Sequence, residues 1–170
     1  MKTLFVIPEI RLDGNPSNIP FWAGILASII QQKNGDVAIL DLNALRMNHG
    51  GRLVPSKIIA EEIASEKWDI IGIGGLTTTY SRIKSLAPLI RKHSPDSIFI
   101  AGGGWCSYNP TEILQLVPEL DLICIGEGEE TFSEFYDIVS AGQKDFEDVN
   151  GLCIRENDNF KFTQPRALIS

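Results

Sequence analysis

The chain has 170 residues, enough for one full-sized core and too few for a comfortable second domain. Its make-up, 44% hydrophobic and 22% charged, is that of a soluble globular protein, with a formal charge of −7 and a pI near 4.8. That acidity argues against a nucleic-acid groove or an anionic membrane surface as partner, and no apolar run approaches the ~20 residues that cross a bilayer.

Met1-Lys2-Thr3-Leu4-Phe5-Val6-Ile7 is a short apolar run stopped by Pro8. It is too short for a secretory core and predicts a first strand over 3–7, so a cytoplasmic location is expected. Residues 21–33 follow as a helix closed by Asn34-Gly35, then a strand over 37–42. The stretch 42–55, with Asn43, Asn48, His49, Gly50 and Gly51, reads as a surface loop or a flap near a ligand. A helix over 55–65 leads to a strand over 70–74, which ends in Gly74-Gly75-Leu76-Thr77-Thr78-Thr79.

The helix over 81–93 closes at His93-Ser94-Pro95, where a cationic side chain suits the helix dipole. A strand over 98–101 then runs into Gly102-Gly103-Gly104. Asn109-Pro110-Thr111-Glu112 caps a helix over 111–116. The strand over 122–125 leads through Gly126-Glu127-Gly128 into a helix over 129–141. Beyond Gly142, residues 149–155 and 160–163 flank a polar turn and predict a β-hairpin. Residues 164–170 carry no structural signal and read as a linker.

The strands are rich in Ile, Leu and Val and do not alternate, as strands covered on both faces do. The expected fold is α/β: a doubly wound, five-stranded parallel sheet, flavodoxin-like or Rossmann-like, of order 2-1-3-4-5, with a C-terminal β-hairpin. Residues 1–142 would form the α/β domain and 143–170 the hairpin and linker.

Ligands of such sheets bind outside the carboxyl ends of the strands where the winding reverses, here between strands 1 and 3. The loops converging there are 8–20, 74–80 and 102–108. The first carries neither a P-loop nor a Gly-x-Gly-x-x-Gly turn, and strand 3 lacks the terminal Asp of a phosphoacceptor. What remains is glycine backbone open to close approach, with Thr77, Thr78 and Thr79 as neutral hydrogen-bonding groups. That chemistry suits a large, amide-rich ligand with little net charge.

Glu129 and Glu130 fall in a first helical turn, where the dipole explains them; Glu127, between two glycines, lacks that explanation. Cys106, Cys124 and Cys153 have no zinc or redox spacing. Cys124 and Cys153 read as small buried hydrophobes, while Cys106 could be exposed near the ligand. A catalytic Cys106 would need a histidine, and the only candidates are His49 and His93.

In order, Gly72-Ile73-Gly74-Gly75-Leu76-Thr77-Thr78-Thr79, Ala101-Gly102-Gly103-Gly104, Gly126-Glu127-Gly128-Glu129-Glu130-Thr131, Val149-Asn150-Gly151-Leu152 and Gln164-Pro165-Arg166 form a pattern spanning almost the whole chain. It resembles the cobalamin (vitamin B12)-binding domain at the front of cobalamin-dependent radical S-adenosylmethionine enzymes. The resemblance implies a cobalamin over the carboxyl edge of the sheet, its nucleotide tail threaded between strands. Gly75, Leu76, Thr77, Thr78 and Thr79 would contact the tail or the corrin amides. Gly102, Gly103 and Gly104 would make room for the tail, and Gly126, Glu127 and Gly128 would flank it.

Two departures matter. Some cobalamin domains place a His below cobalt from an Asp-x-His-x-x-Gly loop after strand 1; this loop has no His, and Asp13-Gly14 does not rebuild the motif. The chain also lacks the Cys-x-x-x-Cys-x-x-Cys of the radical barrel. The four-iron cluster and S-adenosylmethionine would therefore belong to a C-terminal barrel absent here, and methyl transfer or ring-forming chemistry to the full-length protein. No catalytic residue or metal ligand is expected in this chain. A cofactor-free interaction domain, or a flavin- or nucleotide-binding protein of the same fold, stays open as an alternative.

Overall fold

A computed structural model describes residues 1–10, 20–157 and 159–167. Five β–α units come first. β1 (Lys2–Ile7), α1 (Phe21–Gln32), β2 (Asp36–Asp41), α2 (Leu42–Met47) and α3 (Ser56–Ala64) lead to β3 (Ile70–Gly74). A 3₁₀ turn (Thr77–Thr79) then opens α4 (Tyr80–His93). β4 (Ile98–Gly102), α5 (Gly104–Ser107), α6 (Pro110–Leu116), β5 (Leu122–Cys124) and α7 (Glu129–Ser140) complete the parallel part, followed by β6 (Leu152–Glu156) and β7 (Asn159–Phe162).

The sheet runs β2-β1-β3-β4-β5-β6-β7, with β1 to β5 parallel. The parallel order 2-1-3-4-5 is the expected one, but the sheet has seven strands rather than five. The hairpin does not stand apart: Leu152, Cys153 and Ile154 of β6 pair antiparallel with Cys124, Ile123 and Leu122. β5 has only three residues and would otherwise offer an open edge, so an apolar hairpin strand that covers it satisfies its backbone groups.

The alternation of side chains along each strand divides the interior into two cores. Leu4, Val6, Ile71, Ile73, Phe99 and Ala101 face α3, α4 and α6. Phe5, Ile7, Ile70, Ile100, Leu122 and Cys124 face α1 and α7. Those two helices lie side by side, tied at one end by the Lys33–Asp137 ion pair at 2.6 Å.

Helix limits fall within about two residues of those the sequence predicts, with two additions. The stretch 42–55 is not loop throughout, because Asp41 accepts from the backbone N–H of Asn43 and Ala44 and so caps α2. Gly104–Ser107 forms the short α5 where only a loop was expected. Among the described residues no helix is long and apolar enough to cross a membrane.

Candidate functional site

On β3 the parity that faces α1 and α7 carries Ile70, then Gly72 and Gly74. Past Ile70 the strand therefore presents no side chain on that face, and a trough opens toward its carboxyl end. A Cβ at Gly72 would meet the Phe5 ring at 2.7 Å, and one at Gly74 the Trp22 ring at 2.8 Å. Both aromatic rings occupy space that only glycine leaves.

The trough widens into a cleft of about 490 Å³ at the carboxyl edge of β1, β3, β4 and β5. Gly75, Leu76, Gly102, Gly103, Gly104, Gly126, Glu127 and Gly128 all line it, together with Trp22 and Phe132 from the first turns of α1 and α7. Thr77, Thr78 and Thr79 are not among its walls. Thr77 and Thr78 are exposed, while Thr79 is buried and donates its hydroxyl to the Leu76 carbonyl at 2.7 Å. Thr79 thus shapes the 3₁₀ turn, and it leaves no room for a Cβ at Gly75, 2.3 Å away.

The glycines of the cleft divide by cause. Gly103 has φ +96°, and a Cβ there would come within 2.9 Å of the Gly75 carbonyl, so the backbone itself demands glycine. Gly104 meets nothing within 4 Å, and Gly102 meets only the Cys124 Cβ at 3.8 Å. The protein does not fill the space above these last two. Unobstructed backbone beside an aromatic wall fits a group that is bulky, planar in part and rich in amides, which is the chemistry of cobalamin.

The start of the first loop is held firmly. Asn43 accepts from the Ile10 N–H at 2.8 Å and donates to the Pro8 carbonyl at 2.9 Å. Glu9, 5% exposed, accepts from Arg82 Nε at 2.7 Å, from a second Arg82 nitrogen at 2.9 Å and from the Val54 N–H at 3.1 Å. Pro8 and Ile10 on either side of it border the cleft. Asp13 and Gly14 lie outside the described residues.

All three thiols are buried. Cys106 is fully buried rather than exposed near the ligand, because α5 turns its side chain into the α4-side core, and burial pushes its thiol far up. Burial pushes the Cys124 thiol up to about 11, so the cleft wall it contributes is neutral at physiological pH. His93 ends α4, and neither it nor His49 borders the cleft. Among the described residues no cluster of His, Cys, Asp or Glu could hold a metal ion.

Sequence reasoning missed the aromatic wall, Phe5, Trp22 and Phe132, and the anchor Asn43. The parity of β1 against Gly72 and Gly74 carried a signal for Phe5. Trp22 and Phe132 depend on where two helices begin over the sheet, which no local pattern fixes.

Comparison with known proteins agrees with this geometry. A family model described as "B12 binding domain" matches residues 15–136. An uncharacterised methyltransferase of Pyrococcus horikoshii is 27% identical over 99% of this chain and 36% of its own length. An anaerobic magnesium-protoporphyrin IX monomethyl ester cyclase of Synechocystis is 27% identical over 79% of this chain and 26% of its own. Among solved structures, the radical S-adenosylmethionine methyltransferase TsrM from Kitasatospora setae, with cobalamin and a 4Fe-4S cluster bound, superposes with a TM-score of 0.80 at 18% identity. It is matched over 99% of this chain and 30% of that one. The cobalamin-dependent radical enzyme OxsB gives the same TM-score at 19% identity, over 98% of this chain and 22% of that one. The chain thus spans about a quarter to a third of the length of these relatives. With the family model covering well over half of its residues, and a glycine-floored cleft where the winding reverses, the chain belongs to the B12 binding domain family.

Proposed function

We propose that this chain is the cofactor-binding module of a longer cobalamin-dependent radical S-adenosylmethionine enzyme, and that it holds cobalamin in the cleft at the carboxyl edge of the sheet. The observation that carries the reading is the open backbone at Gly102 and Gly104, which both line the cleft and where an added Cβ would meet little or no protein. On this reading the nucleotide tail runs down the trough beside Gly74, Gly102, Gly103 and Gly104, flanked by Gly126, Glu127 and Gly128. Gly75 and Leu76 border the corrin, with Thr77 and Thr78 at the outer rim within reach of its amides.

Bound cobalamin would supply the cobalt chemistry. The groups of this chain bind and orient it, and keep water from the base of the cleft. Neither histidine borders the cleft, which favours a cofactor whose cobalt takes no imidazole from this chain. Residues 1–142 would carry the cofactor, while 143–170 lead toward a barrel holding the four-iron cluster and S-adenosylmethionine. The names of two curated relatives, an uncharacterised methyltransferase and a magnesium-protoporphyrin IX monomethyl ester cyclase, support methyl transfer or ring-forming chemistry as the reaction of the whole protein.

The test is direct. Purified chain is mixed with hydroxocobalamin and desalted; the protein fraction should keep a cobalamin spectrum at near-stoichiometric yield. A colourless protein overturns the reading.

A further inference from the structure

The deep part of the cleft differs in chemistry from its mouth. Phe5 packs over Gly72 and Trp22 over Gly74, and with Phe132 and Ile100 these rings form its walls. The Phe5 ring meets Trp22 edge-on at 5.6 Å and 77°, and meets Phe132 tilted at 5.5 Å. Such rings offer faces and edges to another aromatic ring, and the single hydrogen-bonding group among them is the Trp22 indole N–H.

The polar groups nearby are either committed or remote from this wall. Asn43 spends its amide on Pro8, Ile10 and Asp41. Glu127 is exposed and Glu129 half-buried, both at the mouth. β1, β3 and β4 each pair with a neighbour on both sides, so their N–H and C=O groups lie within the sheet. Cys124 adds only a neutral thiol, a weak hydrogen-bonding group.

From this inventory we infer that the slot sorts cobamides by their lower base, accepting an apolar aromatic base (a benzimidazole or a phenol) and disfavouring a purine. The inference rests on the reading that the nucleotide tail enters the cleft. An adenine brings an exocyclic amine and several ring nitrogens, which leave water and find among these walls only the Trp22 indole donor and the weak Cys124 thiol, too few to pair them all. A benzimidazole in the tail has one free nitrogen, and a phenolic base has none. A phenolic base, with no ring nitrogen to desolvate in an apolar slot, should bind at least as tightly as dimethylbenzimidazole.

The experiment titrates this chain with four probes under one set of conditions: hydroxocobalamin, its adeninyl analogue, its p-cresolyl analogue and cobinamide, which lacks the tail. Binding is read from tryptophan quenching and from retention on desalting. The expected result is that cobalamin and the p-cresolyl compound bind within a few-fold of each other or in favour of the latter. The adeninyl compound should be weaker by roughly tenfold to a hundredfold, the cost of polar groups buried unpaired. Adeninyl binding within threefold of cobalamin overturns the inference and leaves the cofactor reading standing. Cobinamide binding as tightly as cobalamin overturns it too, since the tail then adds nothing. Failure of all four to bind overturns the cofactor reading, and this inference with it.

Discussion

Arg166 Nε donates to Thr131 Oγ1 at 2.8 Å, a contact that ties the C-terminal tail to the first turn of α7. The same hydroxyl donates to the Asn150 carbonyl at 3.0 Å, and Gly151 N–H donates to the Gln164 carbonyl at 2.8 Å. The guanidinium also pairs with Glu130 at 3.0 Å and with Glu134. Three stretches far apart in sequence, Glu130-Thr131, Asn150-Gly151 and Gln164–Arg166, are one hydrogen-bonded cluster at the start of α7. The stretch expected to be an unstructured linker is therefore docked, at least as far as Arg166.

Arg166→Ala should lower unfolding free energy by about 1 to 2 kcal/mol, measured by urea denaturation. The arginine is 11% exposed but its carboxylate partners are about half exposed, so the ion pairs contribute little and the hydrogen bonds to Thr131 and Asn150 most. Arg166→Lys should rescue little of this loss, because an ammonium cannot reach hydroxyl and carboxylates with a planar fork. Full rescue by lysine would mean that charge alone holds the tail.

Gly103→Ala and Gly104→Ala should separate folding from binding. At Gly103 the positive φ and the 2.9 Å approach to the Gly75 carbonyl predict a loss of about 1 to 3 kcal/mol in stability. At Gly104 a Cβ meets nothing, so thermal stability should hold or rise slightly. Cobalamin retention should nevertheless fall, since the new methyl stands where the cofactor would lie. A Gly104→Ala chain that binds like the parent would remove that position from the site.

Much of this was legible in the sequence because it is local. Short Ile- and Val-rich runs ending in glycine, with capped helices between them, fix a parallel sheet, and the sheet order fixes which loops meet. The meeting of Gly75, Leu76 and Gly102–Gly104 at one cleft followed from that order, while Gly126–Gly128 came to it only through the family resemblance. What escaped depends on distant contacts. Thr79 reads as a ligand group in sequence, yet its hydroxyl closes a turn onto Leu76. Cys106 reads as loop, yet a four-residue helix turns it inward. Arg166 carries no local signal of its partners 35 residues away.

Glu9→Gln tests the anchor of the first loop. The substitution removes the charge that faces Arg82, whose side chain is only 17% exposed, and weakens the acceptor for Val54 N–H. Breaking one side of such a pair costs about 3 to 5 kcal/mol when fully buried, and somewhat less here because Arg82 keeps some water. Adding Arg82→Met to Glu9→Gln should recover part of the loss, which a double-mutant cycle followed by denaturation would measure. If the double variant is less stable than the sum of the singles, the pair is not a charge-compensating unit.

The pH dependence of stability has a definite sign. Burial raises the thiols of Cys124 and Cys153 from 9.0 to about 11 and pushes Cys106 higher still. Tyr136 is also raised, mainly by burial, and Lys2 and Lys161 are raised by their carboxylate partners Glu66 and Glu147. Each of these groups holds its proton more tightly folded than unfolded. Between about pH 9 and pH 11 the folded chain therefore binds more protons than the unfolded one, and stability must fall as pH rises through that window. Below pH 8 these groups are protonated in both states and contribute no slope. Urea midpoints should accordingly be flat with respect to these groups from pH 7 to 8 and drop steadily above 9. Cys124→Ala and Cys153→Ala, each losing a little stability at neutral pH, should drop less steeply than the parent at pH 10. A parent chain whose midpoint rises across that alkaline window would mean that the thiols are not buried as the two-core packing requires.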